Sequence, residues 1–97
     1  MENCTDIAIA TTNFLYGKER VIVDVFNPHR AYNDSDEFVC KFSISGAIEH
    51  KGKAIGLDSM QALILSLSLI GDYIKNCPEV DRNLVEWEGG ELKFPEL

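Results

Sequence analysis

Ninety-seven residues, 45% of them hydrophobic and nine of them aromatic, suffice for one packed core and are too apolar for a disordered chain, so 1–97 reads as one domain. Sixteen Asp and Glu against nine Lys and Arg leave a formal charge of −7, which repels phosphate backbones and argues against direct nucleic-acid binding. The longest apolar run, 60–71, is far below the roughly eighteen residues of a membrane span.

The chain opens MENCTD, with acids where an export signal carries bases, and a cytoplasmic location is expected. Cys4, Cys40 and Cys77 are widely spaced, with no C-x-x-C pair and no nearby His to complete a zinc site, which fits reduced thiols. From 7 to 16 the residues are β-branched and aromatic. Gly17-Lys18 then offers a turn before 20–26 resumes that character, which predicts a hairpin. Residues 27–37, NPHRAYNDSDE, are turn-forming and acidic and predict a surface loop. The alternation after it is the clearest strand: Phe38, Cys40, Phe42 and Ile44 on one face, Val39, Lys41, Ser43 and Ser45 on the other. Ser45-Gly46 begins the next connection, and a fourth strand is expected at 53–57 after an interruption at His50-Lys51-Gly52. An antiparallel meander is the simplest reading, because consecutive strands with short links usually pair.

At Asp58 the period changes to a helix, with Asp58 as its N-cap and Gln61 placed to reach back. Met60, Leu63, Ile64, Leu67, Ile70 and Ile74 are expected on the face toward the sheet. Ala62, Leu65, Leu69 and Tyr73 form a second apolar ridge, and Cys77-Pro78 stops the helix. In the tail, 84–94, Gly89-Gly90 suits a two-residue primed turn. That register pairs Trp87 with Leu92 and Val85 with Phe94, and sets Glu88 against Glu91. The fold class is therefore α+β: an antiparallel sheet of four or more strands, one long helix packed across it, and a C-terminal β-hairpin.

The string GLDSMQAL, Gly56 to Leu63, locally resembles the attachment site of acyl and peptidyl carrier proteins. That resemblance implies a phosphopantetheine arm on Ser59, at a helix start that favours an anion. Carrier proteins are bundles of helices, however, and the residues before Gly56 alternate as strands. More of the chain resembles a family of small bacterial proteins of unknown function. The likeness rests on the strand-rich first half, the run Gly56-x-Asp58-Ser59-x-Gln61-Ala62-Leu63, Ile70-Gly71, the late Trp87 and Phe94-Pro95. It implies a fold and a bacterial origin but no active residue.

His29 and His50, in a polar loop and at a predicted turn, read as solvated surface histidines. Asp34, Asp36 and Glu37 lack the glycine and distal Glu of a calcium loop, and no phosphate-binding glycine motif or nucleophile elbow is present. No catalytic residue, metal or cofactor follows from these residues. What remains is binding. The loop residues Tyr32, Asp34, Asp36 and Glu37, and the tail residues Glu86, Trp87, Glu88 and Glu91, are acids around aromatics of the kind that receive a basic protein. Solubility explains the same acids equally well. The function expected is that of a non-enzymatic, immunity-type protein that covers the active site of a basic toxin, a nuclease being one such target. The alternatives are a carrier using Ser59, or a homodimeric adaptor joined through Leu65, Leu69 and Tyr73. Monomer and homodimer both remain open.

Overall fold

The computed structural model describes residues 7–97; Cys4 and the acids of the first six residues lie outside them. Strand β1 (Ala8–Tyr16) pairs antiparallel with β2 (Glu19–Phe26), in the register Thr12↔Val23, Phe14↔Val21 and Tyr16↔Glu19. Gly17 and Lys18 both have positive φ, 60° and 74°, so the connection is the primed two-residue turn whose twist matches that of the strands.

The acidic connection contains a short strand, β3 (His29–Arg30). It continues the β2 side of β4 (Phe38–Gly46): β2 pairs with the end of β4 from Phe42 to Gly46, and β3 with Phe38 and Val39. The other side of β4 holds β5 (His50–Gly56), which begins at the predicted interruption. His50-Lys51-Gly52 is therefore strand. The correction has a steric reason, because the buried Phe42 ring lies over Gly52, where a Cβ would come within 2.5 Å of Phe42 Cζ. Across the sheet the order is β5, β4, β2, β1 and then β6 (Val85–Glu86), which pairs with Leu15 and Tyr16. The meander β1, β2, β4, β5 is as expected.

Phe14, Val21, Val23, Val25, Cys40, Phe42 and Ile44 point to one face and form the core with Ala62, Ile70 and Ile74 of helix α1 (Ser59–Asn76). Asp58 caps this helix: its carboxylate accepts from the Gln61 N–H at 2.8 Å, while Gln61 Oε1 accepts from the Leu57 N–H at 2.6 Å. Asp58→Ala removes the acceptor and is expected to lower stability by about 1 kcal/mol, measured by urea unfolding.

The buried stripe of α1 differs from the expected one. Ala62, Ser66, Ile70 and Ile74 face the sheet, flanked by half-buried Leu63 and Leu67, while Met60 and Ile64 are exposed. The helix crosses β5 so closely that a Cβ on Gly56 would lie 2.6 Å from the Ala62 N. Only small side chains fit at that crossing, and the bulky residues are rotated away. The Ser66 hydroxyl donates to Cys40 O at 3.3 Å, which satisfies the one polar group on the stripe.

The tail contributes one strand in place of a two-stranded hairpin. After a short 3-10 turn at Arg82–Leu84, β6 joins β1, where the Gly17 N–H donates to Leu84 O at 2.9 Å. Gly90 has positive φ but Gly89 does not. Trp87 leaves Leu92 exposed and packs on Phe14 at 4.8 Å between ring centroids, while Phe94 lies 6.3 Å away and closes over Gly71. An isolated hairpin is marginal in water, whereas docking these two rings on the open half of the core removes them from solvent.

Candidate functional site

Where α1 begins, close packing at Gly56 and Ala62 leaves Leu57, Met60 and Ile64 without cover. Leu57 is 73% and Met60 65% exposed, and Met60 and Ile64, together with half-buried Leu65 and with Leu97, border a dish of about 400 Å³ at the helix start. Phe94 covers the neighbouring helix flank at Gly71, and beyond the first turns Leu69 is the other exposed large apolar residue of the helix. Grouped apolar side chains of this kind are the usual anchors of a protein contact.

Acids border this patch. Asp58 lies within it, and the pairing Phe38↔Gly56 sets Glu37 and Leu57 at adjoining strand ends. The loop from Ala31 to Glu37 is held by its own backbone. Ala31 N donates to Glu37 O at 2.9 Å, Arg30 Nη1 to Ser35 O at 2.6 Å, and Glu37 N to Ser35 Oγ at 2.9 Å. Ser35 is buried by these contacts although the segment reads as surface loop, and the Arg30 guanidinium lies 5.1 Å from the Phe38 ring centroid. Tyr32, Asp34, Asp36 and Glu37 remain exposed on this fixed frame. Their side chains are thus presented at little cost in backbone entropy.

The tail residues lie elsewhere. Glu86 stands opposite Leu15 at the other end of the sheet and at its other edge, and Glu88 lies 4.0 Å from the Arg20 guanidinium. Glu91 borders a separate recess with Arg82 and Trp87. Trp87 is half-buried against Phe14 and Phe94, so its ring is engaged inside the fold. The structure therefore sets Glu37, at the end of the loop, beside the helix start, but does not bring the loop and the tail together.

A second recess, of about 470 Å³, lies between α1 and β5 and includes His50, Gly52, Leu69, Asp72, Tyr73 and Asn76 in its lining. The His50 and Tyr73 rings stack at 4.0 Å, with 9° between their planes. Burial first, then Cys77 and Glu79, hold the Tyr73 phenol above its ordinary pKa, so it stays protonated. Cys40 is likewise raised by burial, with its thiol donating to Phe26 O at 3.4 Å, as befits a core side chain. His50 was legible only as a surface histidine, and no periodicity in the sequence points to its stacking partner. His29 Nδ1 is 2.8 Å from Arg30 O, which fits a proton on that nitrogen, and leaves Nε2 buried without a partner. Ser59 is exposed in the first turn of α1, and the fold around it is a sheet with one helix, unlike a carrier bundle. Among the described residues no group of His, Cys, Asp and Glu is arranged to hold a metal ion, and no helix is long and apolar enough to cross a membrane.

Fold and surface together define a small acidic α+β domain with an exposed apolar dish at its helix start. The chain belongs to the family described as Domain of unknown function (DUF6968), whose model matches residues 11–96. Comparison with curated proteins and with solved structures returned no match.

Proposed function

We propose that this domain is a non-enzymatic, cytoplasmic binding protein of the immunity type, which neutralises a basic toxin by covering its active site. The observation that carries the reading is the exposed dish of Met60, Ile64 and Leu97 that includes Asp58, with Glu37 at the strand end adjoining exposed Leu57 and the loop acids Asp34 and Asp36 preceding it in the chain. Apolar anchors within an acidic rim suit a partner with an apolar contact set in positive charge. A nuclease fits, because the site that receives a phosphodiester backbone is itself basic. The excess of seven negative charges draws such a partner in, and the apolar cluster holds it.

The test is capture of a basic partner from the native host, followed by stopped-flow association and a nuclease assay of the captured protein. Met60→Glu is expected to abolish retention. Reversing Asp34, Asp36 and Glu37 to Lys is expected to slow association about tenfold or more at low salt and little at high salt. The tail acids Glu86, Glu88 and Glu91 steer from the far end of the sheet, so their reversal acts less. Retention unaffected by Met60→Glu, a salt-independent rate, or a partner whose activity persists in the complex would overturn the proposal.

A further inference from the structure

We infer that the free edge of β5 is a second interaction surface, which takes up an extended acidic segment of another protein as an added strand. Three observations converge on it. First, among the described residues β5 pairs only with β4, so the other edge of a seven-residue strand presents its alternate N–H and C=O groups unpaired. Second, Lys51 and Lys53 are both exposed on the face of β5 turned away from the helix, and Lys41 of β4 stands directly opposite Lys53. Two of the nine basic residues thus stand exposed on one edge strand in a chain of net charge −7. Third, the recess of His50, Leu69 and Tyr73 opens along this strand on the helix side.

Strand addition draws affinity from main-chain hydrogen bonds and specificity from pockets for alternate side chains. The two faces of β5 specify the incoming segment. Positions on the lysine side carry acids, opposite Lys51 and Lys53. Positions on the helix side carry apolar groups, one of them large enough to reach the stacked His50 and Tyr73 rings, which line the recess with Phe42 and Leu69. The occupant is therefore a strand in which acidic and apolar residues alternate. A second copy of this chain is a poor occupant: antiparallel pairing of β5 with itself brings Lys51 and Lys53 against their own counterparts, between two molecules of like net charge. This surface faces an acidic partner and is independent of the basic partner proposed above.

The probe is a fluorescein-labelled peptide of about eight residues, the length of an ordinary strand, alternating glutamate with valine around one tyrosine. Anisotropy titration is expected to show saturable, salt-sensitive binding, and hydrogen exchange to slow at the amides of β5. The Lys51→Glu/Lys53→Glu double variant, both sites being exposed, is expected to keep the unfolding midpoint and bind about tenfold more weakly or worse. A peptide with lysine for glutamate, and one N-methylated at alternate backbone nitrogens, are expected not to bind. Absence of binding, equal binding of either control, or binding untouched by the double reversal would each overturn the inference.

Discussion

Replacing Phe14 with alanine is expected to lower the free energy of unfolding by about 3–5 kcal/mol. The ring is fully buried at the point where β1 meets the tail, 4.8 Å from the Trp87 ring, and it belongs to the same cluster as Val21, Ile44 and Ile70. Truncation removes the largest buried apolar group of β1 and leaves a void beneath Trp87 that two paired strands cannot collapse to fill. Trp87 is the sole tryptophan, so its fluorescence reports the change directly during urea unfolding. Ile22→Ala, on the outer face of the adjoining strand and 39% exposed, serves as the comparison and is expected to cost about 0.5 kcal/mol or less. A Phe14→Ala cost near that of Ile22→Ala would mean that the tail does not seal this half of the core.

The sheet was legible because β4 alternates, with Cys40, Phe42 and Ile44 buried on the face its pattern marks, and because β1 and β2 are β-branched and aromatic runs joined at Gly17-Lys18. The cap at Asp58 was legible for a local reason, since its two hydrogen bonds span only three and four residues. What escaped the pattern depends on contacts that neither a helical nor a strand period encodes. Met60 and Ile64 have the spacing of buried residues, but the approach of Gly56 to Ala62 decides which helix face can touch the sheet. Bulk apolar periodicity favoured the larger side chains, and close packing selected Ala62 and Ser66 instead. The same rotation created the candidate site, whose apolar anchors are the residues displaced from the core. The acidic loop was visible in composition, whereas its adjacency to Leu57 follows from the Phe38↔Gly56 register, which no local signal encodes. The acids that flank Trp87 mark it as an exposed anchor, but its position against Phe14 depends on a contact across more than seventy residues, which the local turn signal at Gly89-Gly90 does not carry.

Gly46→Ala is expected to cost about 3 kcal/mol, the second large effect, and the cause is backbone geometry instead of lost burial. Gly46 ends β4 with φ 111°, a conformation that side chains rarely adopt. A Cβ there would collide with Arg20 O and lie 3.3 Å from both Arg20 C and Val21 Cα, all of them backbone atoms that cannot swing aside. Relief requires separating β2 from β4 where Val21 pairs with Gly46 and the Ala47 N–H donates to Arg20 O at 3.2 Å. Two other glycines divide the effect into parts. Gly17→Ala has φ +60° and only the Leu84 Cδ1 at 4.0 Å, so it carries the conformational cost alone, about 1 kcal/mol. Gly89→Ala meets nothing within 4 Å and has no positive φ, and should be close to neutral. Urea unfolding of the three variants is expected to rank them Gly46, Gly17, Gly89 in decreasing cost. A Gly46→Ala cost no larger than that of Gly17→Ala would show that β2 and β4 separate there without penalty. In that event the turn from β4 into β5 would not be held by this contact, and the edge carrying Lys51 and Lys53 would owe its position to its pairing with β4 and to α1.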